Sequence, residues 1–557
     1  MPPTTKPSTV KLQRKSFSVN HLVDDDSTHT LPLALDLTDY LGDARRRGPT
    51  PLEALQPLAL LPDMMSLSIG LPPAGTFPIR SLVASAPVPD PRDEHVPDGC
   101  YNRSDQKMTT LHLPFYPSPD VPDALATSMA AVSLCSTLQY GSAEGSAPLL
   151  DFLRDHVRAV HRPPYEDWDL IATTGNTDAL AKALGLIGSP GDYLLVDEWT
   201  YPSTVDAAQS HGIHLVPVPM DHDGMRPAAL DNILTTWHLR DRHRRPKMLY
   251  LIPTGHNPTG ITMSVERRRA IYALAQKHRL IIFEDDPYFY FQFPAYGAPA
   301  VYDDSEDRAD LDADLGLDRL DLDGKAAGTT ALPPLIPSFL SLDTDGRVLR
   351  MDSFSKIFAP GTRLGWITTS VQFIPYIAYH TQTTNHQPSG FSQAIVADLL
   401  LHKWRADGWC RHLRNLRNEY LRRRDQFVAL ATKHLAGLAE FTIPEAGMFV
   451  WLRLLLPNRL ATGSEGDGGR PVAREVAATT ITMDDVLRAL VDARVMAIPG
   501  FYFAGQLNRA ERRNAPYLRV SFSFARPEDF DPALVRLAGV LRRFGCGQGR
   551  LSLHHKG

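Results

Sequence analysis

Short apolar runs alternate with helical patterns through the middle of this 557-residue chain. The runs lie at 170–172, 193–196, 248–252 and 280–283, and alanine-rich or amphipathic stretches separate them. Such alternation is typical of βαβ units, in which helices connect parallel strands. The pattern predicts an α/β fold with a mostly parallel sheet flanked by helices.

The chain is too long for one compact core. Its length and pattern predict two domains after an N-terminal arm. Residues 1–65 are expected to form a tail and arm, polar and proline-dotted up to about residue 40 and disordered at its start, with a short helix at 51–61. A large domain is predicted at 66–400 and a smaller α+β domain at 401–557. A helix from 392 to 424 is expected to connect them.

The smaller domain is predicted to contain a helix at 482–493 and strands at 495–503 and 517–523. Two stretches depart from the regular pattern, an acidic insertion at about 297–338 and a glycine-rich insertion at about 457–478. Neither composition builds a packed core, so both insertions are expected on the surface.

The composition is that of an ordinary globular protein, with 43% apolar and 22% charged residues. A net charge of −5 argues against a general nucleic-acid binder, and no apolar run approaches the length of a membrane span. The four scattered cysteines, with neither metal-ligand spacing nor a disulfide framework, favour a reducing compartment. The first 23 residues are basic and Ser/Thr-rich, similar to a mitochondrial transit segment. A disordered cytosolic tail has the same composition, and the cytoplasm is the expected location.

A lysine that could take part in a reaction follows the apolar run at 348–351. Lys356 lies close in sequence to the hydroxyl groups of Ser353 and Ser355 and to Arg363. Lysine amines condense with carbonyl cofactors when desolvation or nearby cations make them nucleophilic. Taken alone, Lys356 fits equally well an exposed lysine in a polar loop.

Polar residues also follow the predicted strands. The turn at Gly175, Asn176 and Thr177 leads into a predicted helix at 177–186, whose free N–H groups would attract an anion. Tyr201 comes after the 193–196 strand, at the strand end where ligands bind in open α/β sheets.

Two further strand ends carry candidate groups. Asn257 opens an Asn-Pro-Thr-Gly turn after the 248–252 strand. Three acids, Glu284, Asp285 and Asp286, follow the 280–283 run, and strand parity decides which one faces inward. A buried carboxylate is costly unless it is paired. The alternative is an acidic turn in which Asp286 hydrogen-bonds backbone.

Arg519 is flanked by apolar residues on a predicted strand and requires a counter-charge. A substrate carboxylate would bind its guanidinium through two parallel hydrogen bonds. A structural salt bridge would satisfy it equally.

Several of these segments resemble motifs of class I aminotransferases, which are fold-type-I enzymes that use pyridoxal 5′-phosphate (PLP). The matching segments are Asn-Pro-Thr-Gly at 257–260, Glu-Asp-Asp-Pro-Tyr at 284–288, Ser-x-Ser-Lys at 353–356, Gly-x-Arg-x-Gly at 361–365, Ala-Gly-Met-Phe-Val-Trp at 446–451 and Leu-Arg-Val-Ser-Phe-Ser at 518–523. The resemblance extends over about residues 45–545. It is strongest to fungal aromatic-amino-acid, 2-aminoadipate and kynurenine aminotransferases.

The resemblance implies catalytic roles for Lys356, Asp285 and Tyr288, with Asn257 beside Tyr288 as a cofactor ligand. Lys356 would hold PLP as a Schiff base and move the α-proton of the substrate. Asp285 would pair with the pyridine nitrogen of the cofactor. Tyr288 and Asn257 would hydrogen-bond its phenolic oxygen.

It also implies how cofactor and substrate are held. The phosphate ligands would be Asn176, Thr177, Ser353, Ser355 and Arg363. Tyr201 would stack on the pyridine ring, and Tyr140 would reach the cofactor of a neighbouring subunit. Arg519 and Asn257 would bind the substrate carboxylate, and Gly70 and Leu71 would line the substrate pocket.

The implied activity is transamination of an aromatic amino acid, 2-aminoadipate or kynurenine with a 2-oxo acid such as 2-oxoglutarate. It would proceed through pyridoxamine phosphate in a homodimer with shared active sites, without a metal, nucleic acid or membrane. The same scaffold also supports C–S lyase and decarboxylase chemistry. A PLP-binding transcription regulator is a further alternative, although the first 65 residues lack a helix-turn-helix pattern.

Overall fold

The structure is a computed structural model that describes residues 36–48, 70–90, 101, 104–115, 132–297, 335–457, 481–504 and 513–546. The strands are β1 (Ser81–Pro87), β2 (Met108–Pro114), β3 (Trp168–Thr173), β4 (Tyr193–Asp197), β5 (His214–Val218), β6 (Met220–Asp221), β7 (Gly224–Met225), β8 (Met248–Leu251), β9 (Ile281–Asp285), β10 (Val348–Ser353), β11 (Gly365–Ser370), β12 (Ala439–Glu440), β13 (Phe449–Leu454), β14 (Ile498–Pro499) and β15 (Tyr517–Ser521). The helices are α1 (Leu134–Thr137), α2 (Ala147–Val160), α3 (Asn176–Ile187), α4 (Pro202–Ser210), α5 (Pro227–Thr235), α6 (Val265–His278), α7 (Phe339–Leu342), α8 (Phe354–Ile357), α9 (Ile374–Thr384), α10 (Gly390–Asp398), α11 (Arg405–Leu435), α12 (Met483–Asp492) and α13 (Phe530–Arg543).

The main sheet has seven strands in the order β3-β11-β10-β9-β8-β4-β5. Neighbouring strands from β10 to β5 run parallel, whereas β11 is antiparallel to both β3 and β10. Strands β8 to β11 are buried along their whole length, as their continuous apolar runs require. The predicted α/β fold with a mostly parallel sheet is confirmed.

Parallel pairing brings several strand ends to one edge of this sheet. Met351 of β10 pairs with Asp285 of β9, and β9 pairs in turn with β8. The segments that follow β4, β8, β9 and β10 therefore leave the sheet side by side. This is the edge where ligands bind in open α/β sheets.

A second, antiparallel sheet has the strand order β12-β13-β15-β14. The strand predicted at 495–503 is wrong for most of its length, because only Ile498–Pro499 pairs and Gly500–Phe503 forms a 3-10 turn. The chain turns where Gly500 crosses the sheet, since a Cβ atom there would lie 2.8 Å from Cβ of Tyr517. Phe503, at the end of the turn, consequently packs against Trp451 of β13.

The long helix between the predicted domains is also interrupted. Helix α10 ends at Asp398, residues Leu399–Trp404 form a π-helical turn, and α11 continues to Leu435. Arg405 opens α11 with a positive φ of 55°. The single helix predicted at 392–424 is therefore two helices, and the proposed domain boundary at 400 falls in the π turn between them.

Part of the predicted N-terminal arm packs against the rest of the chain. Leu37 and Ala44 are fully buried, and the backbone N–H of Gly42 donates to Leu186 O at 2.9 Å. The start of the tail, where disorder is predicted, lies outside the described residues. The targeting segment, the 51–61 helix and most of both insertions lie outside the described residues. Within those residues, no helix has the length and apolar character needed to cross a bilayer.

Candidate active site

A cavity of about 310 Å³ opens at the carboxyl edge of the main sheet. Ten of the residues singled out in the sequence line it, namely Asn176, Thr177, Tyr201, Asn257, Asp285, Tyr288, Ser353, Ser355, Lys356 and Arg363. Its remaining lining residues are mostly apolar: Leu180, Ser203, Ile252, Pro287, Pro360 and Phe449. The fold thus brings residues from five separate segments into one site.

Lys356 is carried on α8, a single helical turn that begins directly after β10. Ser353 caps this turn, since its Oγ accepts the Ser355 N–H at 3.0 Å. The amine of Lys356 has no carboxylate partner among the residues the structure describes. Burial lowers the pKa of Lys356, and the positive charges of Arg363 and Arg519 lower it further. These are the surroundings that make a lysine nucleophilic.

Asp285 is the acid at the end of β9 that faces the cavity, and it is only 7% exposed. One carboxylate oxygen accepts the Tyr250 hydroxyl at 2.7 Å, and the other accepts the Asn176 side-chain amide at 2.7 Å. Burial raises the pKa of Asp285, while these two hydrogen bonds and the charge of Arg350 oppose that rise. The Asn176 side chain thus contacts this carboxylate within the cavity.

A different group of donors meets where α3 begins. No side chain caps this helix start, and the N–H groups of Asn176 and Thr177 have no hydrogen-bond partner in the described part of the chain. Gly175 has a φ of 92°, and the Arg363 guanidinium packs against it while donating to Thr174 O at 3.0 Å and Ser355 Oγ at 3.2 Å. A helix N-terminus, hydroxyl groups and an arginine together form an anion site.

Arg519 lies beside the cavity rather than in its lining. Its Nη1 donates to Asn257 Oδ1 at 2.7 Å, and it forms no salt bridge with any carboxylate of the described residues. Burial lowers the pKa of Arg519. The structural salt bridge considered from the sequence is therefore absent from this part of the chain.

A buried ionic cluster lies on the other side of β9 and β10. Arg350 is fully buried and contacts Glu284 at 3.0 Å, Asp286 at 3.2 Å and Asp352 at 2.9 Å. Burial raises the pKa of Asp286 and Asp352. Strand parity thus turns Glu284 and Asp286 away from the cavity, and the acidic turn with Asp286 bound to backbone is wrong.

The family model for aminotransferase class I and II matches residues 115–537. A Schizosaccharomyces pombe protein named aromatic amino acid aminotransferase is 35% identical over 519 residues, covering 92% of this chain and 99% of that protein. An L-tyrosine:2-oxoglutarate aminotransferase of Serpula lacrymans is 34% identical over 480 residues, covering 84% of each chain. The crystal structure of aminotransferase Aro8 from Candida albicans has a TM-score of 0.75 and 30% identity, covering 92% of this chain and all of that one, 100%.

The chain belongs to the class I and II aminotransferases. The expected family, the fold-type-I architecture and the expectation of an enzyme are thereby confirmed. Aminotransferases of this family use PLP, which is the cofactor of this chain.

The cavity of the aminotransferase has the chemistry that PLP requires. Its anion site at the start of α3 suits a phosphate, because N–H groups, hydroxyl groups and the Arg363 guanidinium meet there. A Cβ atom on Gly175 would lie 2.7 Å from Arg363 Nη2, so glycine keeps this anion site open. At the other end, the buried Asp285 carboxylate suits a protonated ring nitrogen.

Three predicted site residues lie apart from the cavity. Gly70 and Leu71 are exposed, and Tyr140 is 60% exposed, with its ring centroid 5.0 Å from that of His386. The loops that carry them meet, because the Gln139 side-chain amide donates to Pro72 O at 2.9 Å. Their expected roles stay predictions.

The sequence reasoning missed Tyr250 and Arg350. Tyr250 lies inside an apolar strand and resembles a core residue, although its hydroxyl reaches Asp285. Arg350 alternates with apolar residues on β10, and a charge within a buried strand is a signal that could have been used. Phe449 was visible only as part of the 446–451 motif.

Proposed function

We propose that this aminotransferase transfers the amino group of an aromatic amino acid to a 2-oxo acid such as 2-oxoglutarate. The relatives named for aromatic amino acids and for tyrosine with 2-oxoglutarate support this substrate class. In the chain itself, Arg519 has no acidic partner among the described residues, and the cavity beside it has apolar lining residues such as Ile252 and Phe449. This combination suits a carboxylate joined to an apolar side chain. 2-Aminoadipate and kynurenine are the alternative donors.

The cofactor would be held at its two ends by different chemistry. The phosphate would bind the first N–H groups of α3, the Thr177 hydroxyl, Ser353, Ser355 and Arg363. The pyridine nitrogen would face Asp285, which its hydrogen bonds keep available as an anion. Tyr201 would contact the ring face.

The phenolic side of the cofactor would be held by Tyr288 and Asn257. Tyr288 is 5% exposed and Asn257 is 6% exposed, and both face the cavity. Burial raises the pKa of Tyr288, so its hydroxyl stays protonated and can donate. Asn257 receives its orientation from Arg519, which binds its carbonyl oxygen and leaves its amide hydrogens to donate elsewhere.

Lys356 would move the proton. Bound PLP withdraws electrons from the α-carbon of the amino acid, which acidifies the α-hydrogen. Nζ of Lys356 would hold this proton as a general base and later act as the general acid. The lowered pKa of Lys356 supports this role, because a neutral amine is needed. Arg519 would fix the substrate carboxylate and so orient the α-hydrogen toward Nζ.

One observation carries the proposal above the others. Lys356 and Asp285 line the same small cavity, and the lysine has no carboxylate partner in the described chain. An ordinary structural lysine would pair with the acid, because a buried charge without a partner is unfavourable. Their separation suits a molecule that lies between them and contacts both.

A panel of amino donors with 2-oxoglutarate, followed by glutamate formed, tests the proposal. We expect phenylalanine, tyrosine and tryptophan to be the best donors and Lys356→Ala to lose activity by several orders of magnitude. A folded Lys356→Ala enzyme that still formed glutamate would contradict the role of the lysine. Preference for 2-aminoadipate or kynurenine would favour the alternative donors, and keto acid release without glutamate would favour a lyase or decarboxylase.

We further propose a homodimer in which Tyr140 and the loop at Gly70 and Leu71 serve the neighbouring active site. The support is their joint position on one exposed surface, where apolar Leu71 and Tyr140 are 44% and 60% exposed. Apolar side chains exposed on two loops that meet would be covered by the partner subunit in such a dimer.

The cytoplasm is the proposed location. Cys135, Cys410 and Cys546 are free thiols, as expected in a reducing compartment. Imaging of a tagged full chain, beside a chain that lacks residues 1–23, distinguishes the cytoplasm from a mitochondrial destination.

A further inference from the structure

Arg519 is a half-buried cation with aromatic neighbours where a structural arginine would have an acid. The centre of its guanidinium lies 4.4 Å from the ring centroid of Phe449 and 4.8 Å from that of Phe503. Both rings are nearly buried, with exposures of 8% and 1%. These distances are well within the range of cation–π attraction.

The fold places each ring at Arg519 by a different route. Phe449 begins β13, which pairs with the β15 strand that carries Arg519. Phe503 ends the 3-10 turn that follows β14, and the close crossing at Gly500 permits this turn.

Phe503 is itself bound to the segment that follows β4. Its carbonyl oxygen accepts the Thr200 N–H at 2.7 Å, and its ring packs edge-on against Trp451 at 5.9 Å. Trp199 and Trp451 complete a small aromatic cluster around it. Thr200 directly precedes Tyr201 of the cavity wall. The hydrogen bond from Thr200 to Phe503 therefore connects the cavity wall to a ring that packs on Arg519.

We propose that Phe449 and Phe503 are positioning residues that hold Arg519 for the substrate carboxylate. This inference rests on the proposed function, in which Arg519 binds that carboxylate. A carboxylate neighbour would stabilise the guanidinium but would also occupy its donors and neutralise its charge. Aromatic rings stabilise the cation through their faces and leave the N–H donors at its edge available. One donor is used by Asn257, and the others remain for the substrate.

The test replaces the ring by an apolar side chain of similar size. Phe503→Leu removes the cation–π attraction, and we expect KM for both the amino acid and the oxo acid to rise about 2- to 30-fold. The kcat should change less, because Lys356 and the cofactor contacts are untouched. Phe503→Tyr should restore most of the affinity, since it retains an aromatic face. Binding of 3-phenylpropanoate, followed by the cofactor absorption band, gives the carboxylate affinity without turnover.

Two further variants separate this inference from the proposed function. Phe427→Leu is the matched control, because Phe427 packs against Phe522 and Phe530 away from Arg519, and its KM should stay unchanged. Arg519→Ala should raise KM strongly. Adding Phe503→Leu to the Arg519→Ala variant should raise KM little further. If Arg519→Ala alone raised KM and Phe503→Leu did not, the aromatic support would be refuted while the role of Arg519 survived. An unchanged KM in Arg519→Ala would refute both.

Discussion

The buried pair of Tyr250 and Asp285 has a consequence for the stability and the cofactor affinity of the enzyme. The Tyr250 hydroxyl donates to the carboxylate at 2.7 Å, and Tyr250 is fully buried. Tyr250→Phe removes a hydrogen bond to a charged group, which costs about 1.5–3 kcal/mol of unfolding free energy. The substitution also raises the pKa of Asp285 further, because the Tyr250 hydrogen bond that lowers this pKa is lost while the effect of burial remains. We therefore expect weaker PLP binding, measured as an increased Kd by titration of the apoenzyme.

The pH dependence of this loss has a defined sign. Because the native pKa of Asp285 is already raised above its ordinary value of 3.8, the native state binds this proton more tightly than the unfolded state. The stability difference between wild type and Tyr250→Phe is complete where Asp285 is ionised in both native proteins. It diminishes as the pH falls through their native pKa values toward 3.8.

Tyr272→Phe provides the control for this experiment. Tyr272 donates to Asp343 at 2.9 Å away from the cavity, so its loss should lower stability and leave the Kd for PLP unchanged. Equal Kd values for wild type and Tyr250→Phe would refute the role assigned to Tyr250.

Single residues could be predicted where chemistry and neighbours occur together in sequence. Lys356 follows Ser353 and Ser355 directly, and Asp285 ends an apolar run, so local sequence identifies both. Tyr250 acts on Asp285 from another strand, and that contact exists only after β8 and β9 pair. Asn176 was located correctly at the helix start, but its side chain lies 2.7 Å from Asp285, which no local pattern indicates.

At the scale of elements, cofactor binding depends on the backbone conformation of the turn between β3 and α3. Gly175 has φ 92° and ψ 173°, a conformation essentially confined to glycine. Gly175→Ala adds backbone strain of about 1–3 kcal/mol and places Cβ against the Arg363 guanidinium. We expect lower thermal stability together with a weaker affinity for inorganic phosphate and for PLP in the apoenzyme.

Gly437→Ala is the comparison for this turn. Gly437 also has a positive φ, 72°, but a Cβ atom there would meet nothing within 4 Å. It should lower stability without changing the affinity for PLP. If Gly175→Ala weakened PLP binding no more than Gly437→Ala, the turn would have no specific part in the anion site.

The regular elements were predictable because burial on both faces gives continuous apolar runs, as in β8 and β9. The exceptions depend on packing between segments distant in sequence. Nothing near Leu399 requires a π turn, and the extended pattern at 495–503 is overridden where Gly500 crosses Tyr517. Propensity is a weak prior when tertiary contacts decide the path of the chain.

At the scale of the whole molecule, the proposed dimer would share residues between its two active sites. If Tyr140 serves the neighbouring site, each active site combines Lys356 of one chain with Tyr140 of the other. Tyr140→Ala and Lys356→Ala then remove residues that different chains contribute to a site. In a mixed dimer, one site then carries both defects, and the other combines native Lys356 with native Tyr140. Symmetric homodimers allow random exchange, so equal mixing should restore about a quarter of wild-type activity from two impaired proteins.

The exchange experiment depends on first showing that each variant is folded and dimeric alone, by light scattering and circular dichroism. Different affinity tags on the two chains then allow the mixed dimer to be purified after mild denaturation and refolding. Activity that returns only in the mixed dimer places Tyr140 in the site of its neighbour. A mixed dimer that gains nothing, with both variants impaired alone, would assign Tyr140 to its own chain. The exposed position of its ring, 60% accessible in the isolated chain, would then need another explanation.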